Sequence, residues 1–408
     1  MRSWIRLFQA LVHIIIINLN CNVVAFTTSS LPPIIDHAVS SIPNAISYPA
    51  AFIASFRSGA AISVINQPRI PMIDDNISVG SSVLRLPSGT RVRLFYPTNS
   101  TIDASSKSTT TYAKYCTDGK QTSSGMAGMV GFRQLGLSFL LEHLADASSG
   151  CIQDAVPVSD ENTENNNLPL LIYSHGYGGN MDMSTYFMRT MASKGMIVAA
   201  LEHTDGTASS TVLEDGYERR FNEYYMTGRQ QLTRRASELL EAADFLPIEL
   251  EKRYNISVET IMLGGHSYGA PSAVLAGNGA NDKSNIKGLI LHDPALGMGY
   301  GMLPPNGAKS KIPTISYVSD EYNRANVRYG DLTVHVQGCY HGNFVDAPLW
   351  APRIIMRCLS LVIPAAGPAD PNEVHEQLAE SAVAFLESQD PISDDVISGD
   401  LFELVQRQ

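Results

Sequence analysis

Long apolar runs are almost missing from this chain. Residues 7–19 (LFQALVHIIIINL) form one, and no later stretch reaches the roughly 18 to 20 apolar residues that a spanning helix needs, so the body is expected to be soluble. Basic charge is also scarce. With 29 Lys and Arg against 40 Asp and Glu the formal charge is -11, and no Lys/Arg-rich run offers a polyanion a docking surface. Nucleic-acid binding is thereby excluded. Only five cysteines occur, with no Cys-x-x-Cys or His-x-x-x-His spacing to suggest a metal site. Internal repeats are absent, and low complexity is confined to the Asn-rich residues 161–167. What is abundant is core-forming material: 44% hydrophobic and 17% charged residues over 408 positions exclude disorder as a description of the whole chain.

The N-terminus carries an address. Arg2 and Arg6 precede the apolar run, and Val23 and Ala25 place small residues at the cleavage position, so residues 1–25 read as a secretory signal peptide. Residues 26–75 form a low-charge extension rich in Ser, Thr, Ala and Pro. They also resemble a transit segment, as in the bipartite presequences of algae whose plastids lie behind secretory membranes. Secretion is the expected destination, with such a plastid as the alternative. Sequons at Asn76, Asn99 and Asn255 are compatible with passage through the lumen. Once Cys21 leaves with the signal, Cys116, Cys151, Cys339 and Cys358 remain. Their local pairing would be Cys116 with Cys151 and Cys339 with Cys358, the alternative being free buried thiols.

Periodicity sets the fold class. Residues 83–86 and 91–96 alternate with period two around a Pro87-Ser88-Gly89 turn and predict a hairpin. Beyond it lie short apolar runs at 168–173, 196–201, 260–263, 288–291, 313–318 and 332–336, the pattern of strands buried on both faces of a parallel sheet. Between them, Leu232, Ala236, Leu239, Leu240 and Ala243 fall on one helical face, as do Val374, Leu378, Ala382 and Phe385. Strand and helix alternate, which predicts an α/β fold with a mostly parallel sheet and helices on both faces. The expected parse is one catalytic domain over residues 76–390, followed by a C-terminal tail over 391–408.

Within that pattern, Gly265-His266-Ser267-Tyr268-Gly269 follows an apolar strand and precedes a helical run with Pro271 in its first turn. Strand, G-x-S-x-G and helix together are the context of a nucleophile elbow, with Ser267 exposed on a sharp turn. A serine hydroxyl needs a base at neutral pH. Of the downstream histidines, His335 alternates inside a strand and His375 opens a helix, whereas His341 lies in the loop after the last parallel strand. His341 is therefore the candidate base. Either Asp293 or Asp320 and Glu321, each just after a strand, is placed to orient it, and spacing leaves the choice open. Ser174-His175-Gly176-Tyr177-Gly178-Gly179 resembles the His-Gly oxyanion loop of lipases and esterases, which makes the Tyr177 and Tyr268 backbone N–H groups the candidate donors.

These residues resemble the secreted, lipoprotein-associated platelet-activating factor acetylhydrolases, also called group VII phospholipases A2, a family of the α/β-hydrolase superfamily. The resemblance runs in segments: the hairpin, Tyr173-Ser174-His175-Gly176, the strand at 195–203 (GMIVAALEH), the elbow, Leu291-His292-Asp293 and His341-Gly342-Asn343-Phe344. It implies Ser267 as nucleophile, Asp293 as acid, His341 as base and Tyr177 and Tyr268 as oxyanion donors. Tyr268 and Ala270 stand where the family usually has Phe and Gly, and Pro294 follows the acid. The resemblance further implies a calcium-independent, cofactor-free esterase acting on a short or oxidised sn-2 acyl chain of a phospholipid such as platelet-activating factor. Its partner would be a membrane or lipoprotein surface met peripherally. For that contact the apolar residues 126–144, broken by Gly128, Gly131 and Gly136, predict an interfacial helix or lid presenting Phe132, Phe139 and Leu140, or else a buried helix. The alternatives are another carboxylesterase on the same scaffold, such as chlorophyllase, and a catalytically silent binding module.

Overall fold

The computed structural model describes residues 78–102, 111–134, 136–158, 167–280, 285–351, 366–388 and 394–407. The signal peptide, the 26–75 extension, Asn76 and Cys358 lie outside them. In chain order the elements used below are β1 (Ser78–Arg85), β2 (Arg91–Thr98), β3 (Tyr112–Lys114), α1 (Lys120–Met129), β4 (Ser148–Gln153), β5 (Leu170–Ser174), α2 (Thr185–Ser193) and β6 (Ile197–Glu202). They continue with β7 (Ser210–Val212), β8 (Glu218–Arg220), α3 (Gly228–Tyr254), β9 (Ile261–His266), α4 (Gly269–Gly279), β10 (Ile286–His292) and β11 (Thr314–Val318). The chain ends through α5 (Asp320–Arg324), β12 (Leu332–Val336), α6 (Ala347–Trp350), α7 (Pro371–Glu387) and β13 (Phe402–Arg407).

Among the described residues eleven strands join one sheet in the order β13-β12-β11-β10-β9-β5-β6-β2-β1-β4-β3. From β6 through β5, β9, β10 and β11 to β12 every neighbour is parallel. Hairpin β1–β2 joins antiparallel through β2 to β6, with Arg85 opposite Arg91 at the turn. The mostly parallel sheet expected from the apolar runs is present, and the period of two explains its burial. Leu170, Ile172, Leu263 and Leu289 pack with Ala236, Leu239 and Ala242 of α3 and Ala273 of α4 on one face. Their neighbours Leu171, Tyr173, Met262 and Ile290 pack with Phe187 and Met191 of α2 and Leu378 and Phe385 of α7 on the other. Each such Leu, Ile, Met or Phe side chain contributes about 1.5–3 kcal/mol when fully buried.

Helix α3 starts where its sequence says it should: Thr227 and Gln230 form a capping box, and Asn255 ends the helix in a left-handed conformation. Two segments depart from the sequence reading. The apolar residues 126–144 do not form one helix: α1 ends at Met129, Gly131 and Gly136 take positive φ (84° and 71°), and two short 3-10 turns follow at Ser138–Leu140 and Glu142–Ala145. Met126, Leu141 and Leu144 are buried there with Tyr115 and Tyr186. The 391–408 segment, set apart as a tail, supplies β13, which pairs antiparallel with β12 and lays Phe402 against Tyr317. No helix among the described residues is long and apolar enough to cross a membrane.

The cysteines are corrected as well. Cys116, Cys151 and Cys339 are buried free thiols, so the local pairing is not made. Cys151 belongs to the core cluster on the α2 face of the sheet, whereas Cys116 belongs to the cluster over α1. Burial pushes all three thiols up.

One charged pair crosses this core. Arg93 of β2 meets Asp182 at 2.6 Å, with both side chains almost fully buried. The guanidinium also donates to the Lys114 and Tyr115 carbonyls, while Asp182 accepts from the Thr117 N–H and hydroxyl. Removing one partner strands the other charge. Asp182→Ala is expected to lower unfolding free energy by about 3–5 kcal/mol, read from urea denaturation, and a loss below 1 kcal/mol would contradict this account.

Candidate active site

Strand β9 ends at His266, and the next residue, Ser267, takes a positive φ of 55° before the chain enters α4. A non-glycine residue held there costs of order 1–3 kcal/mol, and the surroundings show what enforces it. A Cβ on Gly265 would sit 2.4 Å from the Gly269 carbonyl carbon, and one on Gly269 would sit 1.9 Å from the Ser174 carbonyl oxygen. Only glycine permits α4 to turn back so tightly over the sheet. The Ser267 N–H donates to the His292 carbonyl at 2.9 Å, and its own carbonyl accepts from Ala295 N–H at 3.1 Å. These two backbone hydrogen bonds tie Ser267 to the end of β10 and the turn after it.

Parallel register brings the rest to the same edge. His266 lies opposite His292 and His292 opposite Tyr317, so the loops after β9, β10 and β11 leave the sheet side by side. Asp293 also takes positive φ (45°), and its N–H donates to the Tyr317 carbonyl at 2.8 Å. Its Oδ1 accepts from the Ser319 N–H at 2.7 Å, and its Oδ2 lies 2.8 Å from His341 Nδ1. Asp293 is fully buried while the His341 side chain is 25% exposed, which leaves the imidazole open to a ligand. Tyr322 stacks on that ring with centroids 5.3 Å apart and planes within 8°. Glu321 accepts from the His341 N–H at 3.3 Å, and burial followed by the charge of Asp293 pushes its carboxyl up to about 7. Asp320, the other candidate acid, is engaged elsewhere: its Oδ1 meets His335 Nε2 at 2.8 Å and the Gly338 N–H at 3.1 Å.

The His-Gly loop closes over the elbow. A Cβ on Gly176 would meet Ser267 Cβ at 3.1 Å, so glycine is what lets this loop reach the serine. The ring of Tyr177 stands edge-on to that of Tyr268 at 5.7 Å and to Phe221 at 5.2 Å. Tyr177, Tyr268 and Leu232 form a small buried cluster, with Phe221, Met298, Tyr300 and Met302 packed against it. This aromatic and methionine wall was not foreseen, because its outer members sit in loops that have no periodicity. Phe132, Phe139 and Leu140 are half-buried in the turns after α1, with Phe132 packed against the cluster there.

A second Ser-His-acid set lies behind the loop. Ser174 Oγ is 2.7 Å from His203 Nε2, and His203 Nδ1 is 2.7 Å from Glu238 Oε2. It cannot meet a substrate, since Ser174 and His203 are fully buried and Glu238 nearly so. Burial holds His203 well below the usual histidine range and raises the Glu238 carboxyl. It ties β5, the β6 loop and α3 together.

The steric account of the elbow has a direct test. Gly269→Ala must displace α4 from β5 and is expected to cost about 1–3 kcal/mol and most of any Ser267-dependent turnover. Gly279→Ala, in the same helix with nothing within 4 Å of its new Cβ, should be neutral or stabilising by up to about 1 kcal/mol. Equal urea midpoints for the two variants would refute the close-approach argument.

Comparison with known proteins finds distant relatives among esterases. A family model described as platelet-activating factor acetylhydrolase, isoform II, matches residues 63–246, which include the His-Gly loop and stop before the elbow. The chain is 24% identical over 377 residues to the platelet-activating factor acetylhydrolase of Bos taurus, covering 83% of this chain and 81% of that one. It is 23% identical over 380 residues to a putative phospholipase A2 of Schizosaccharomyces pombe, covering 72% and 83%. Among solved structures, a ferulic acid esterase from Streptomyces cinnamoneus shares the fold with a TM-score of 0.57 at 18% identity, over 82% of this chain and 98% of that one. The chain is an α/β-hydrolase of the serine-esterase type, related distantly to the platelet-activating factor acetylhydrolases.

Proposed function

We propose that this esterase uses Ser267, His341 and Asp293 to hydrolyse the short or oxidised sn-2 acyl ester of phospholipids such as platelet-activating factor. The observation that carries the triad is the 2.8 Å contact between Asp293 Oδ2 and His341 Nδ1 at the sheet edge where Ser267 occupies its left-handed turn. Ser267 Oγ attacks the ester carbonyl while His341 Nε2 takes its proton. Asp293 fixes the imidazole tautomer and stabilises the cation that forms. The Tyr177 and Tyr268 N–H groups hold the oxyanion, each worth roughly 3 kcal/mol in the transition state. His341 then returns the proton to the leaving lysophospholipid oxygen, and water repeats the sequence to free the acid.

For the substrate class, support comes from the distant relatives and from the wall of Tyr177, Phe221, Met298 and Tyr300, which suits an apolar acyl chain. Phe132, Phe139 and Leu140 are the proposed lipid-facing residues. Passage through the secretory lumen is supported by the exposure of Asn99 and Asn255, both in sequons.

Ser267→Ala is expected to abolish ester hydrolysis in a folded protein, with a fluorophosphonate labelling Ser267 in the parent. Asp293→Asn should lose on the order of 10⁴ in kcat, and Asp320→Asn under about tenfold; the reverse pattern would move the acid to β11. On a panel of short-chain sn-2 phospholipids, long-chain phospholipids, chlorophyll and p-nitrophenyl esters, the short-chain phospholipids should give the highest kcat/KM, and preference for chlorophyll would replace the substrate reading. Phe132, Phe139 and Leu140 changed together to Ser should weaken sedimentation with phosphatidylcholine vesicles while leaving p-nitrophenyl acetate turnover within about twofold. Unfolding of that variant would make the segment core.

A further inference from the structure

Arg235 is a fully buried cation inside α3, about two turns from the start of the helix, and every nitrogen of its guanidinium is directed at the loops around Ser267. Nε meets Asp205 Oδ2 at 2.9 Å and Thr207 Oγ1 at 3.2 Å. Nη1 donates to the His175 carbonyl and lies 3.4 Å from Ser174 Oγ, while Nη2 donates to Thr207 Oγ1. The face of the guanidinium lies 5.0 Å from the Tyr268 ring centroid.

These contacts converge on the two residues whose N–H groups are assigned to the oxyanion. Tyr177 sits between two points that Arg235 controls. On one side is the His175 carbonyl, which it binds directly. On the other is Gly178, whose N–H donates at 2.8 Å to the carbonyl of Thr207, the residue whose hydroxyl Arg235 also holds. Asp205 completes the frame by accepting from the Thr207 hydroxyl and N–H. Tyr268, the second donor residue, is covered by the guanidinium face and anchored by its hydroxyl to the Gly228 carbonyl, in the first turn of the same helix, at 3.1 Å. One rigid planar group therefore touches both donor segments. A buried pair with Asp205 alone would need neither the His175 contact nor the stacking.

We infer, on the strength of the serine-esterase reading above, that Arg235 is a positioning residue that fixes the two oxyanion-donating segments relative to each other, so that its fork is read in transition-state stabilisation rather than in substrate binding. Lysine is the informative replacement. It keeps the charge opposite Asp205 but has no planar fork, so it cannot reach His175, Thr207 and Tyr268 together. An ammonium in this place leaves the Tyr177 segment free to shift, and a misplaced oxyanion donor costs about 10²-fold in kcat.

For Arg235→Lys on p-nitrophenyl acetate, kcat should fall about 10²-fold, with KM within about threefold and the pH midpoint of the basic limb unchanged. Affinity for phenylboronic acid, whose tetrahedral adduct places a charged oxygen in the same position, should fall by a comparable factor. A folded Arg235→Lys enzyme with kcat within threefold of the parent, a loss confined to KM, or unaltered boronate affinity would overturn the inference. Should Arg235→Lys not fold, Thr207→Val decides: it removes the hydroxyl that Arg235 holds and should lower kcat about tenfold at unchanged KM, and an unchanged kcat overturns the assignment. Fluorophosphonate labelling of the parent separates the two levels. If Ser267 is not labelled, the esterase mechanism itself fails; if it is labelled and both variants turn over normally, only the role of Arg235 fails.

Discussion

The contact on which the site depends is between two pieces of main chain. Gly269 brings α4 against the Ser174 carbonyl so closely that a single added carbon has no room. Because β5 and β9 are paired in register up to Ser174 and Gly265, that approach fixes the His-Gly loop and the elbow as one rigid corner. The strain at Ser267 and the proximity of Gly176 follow from it. So does the edge-on packing of Tyr177 against Tyr268, since their backbones are already placed.

Much of this was legible in the sequence because the signals were local. A parallel strand buried on both faces writes a short apolar run, and α3 announces itself by a helical face and a Thr227 to Gln230 cap. The elbow is legible because glycine is needed at both flanks. What was not legible depended on direction rather than position. Asp293 and Asp320 each follow a strand, and spacing could not separate them. The backbone turns Asp293 toward His341, while Asp320 heads a short helix and faces His335. Glycines that look tolerable in an apolar run at 126–144 take positive φ instead and break it into turns. Arg235 reads as one of several basic residues on an amphipathic helix, and nothing in the pattern marks it as buried.

Buried polarity in this molecule is concentrated where loops must be held to one another. Arg93 with Asp182 binds the hairpin to the loop before α2, and Arg235 with Asp205 binds the loops behind the elbow. Each pair holds a connection that apolar packing leaves without a fixed geometry. An ion pair so enclosed contributes little net stability over an apolar substitute, but in these two places it supplies directional anchors to backbone carbonyls that no aliphatic side chain provides.

Strand β13 closes the sheet beside the strand that leads to the candidate base. The Gln337 N–H donates to the Leu401 carbonyl at 2.8 Å, and Glu403 grips His335, so the last residues brace the strand that leads into the His341 loop. The sheet edge thus works as a splint: Phe402 and Glu403 hold β12 from its outer side, and β12 in turn fixes where the His341 loop departs.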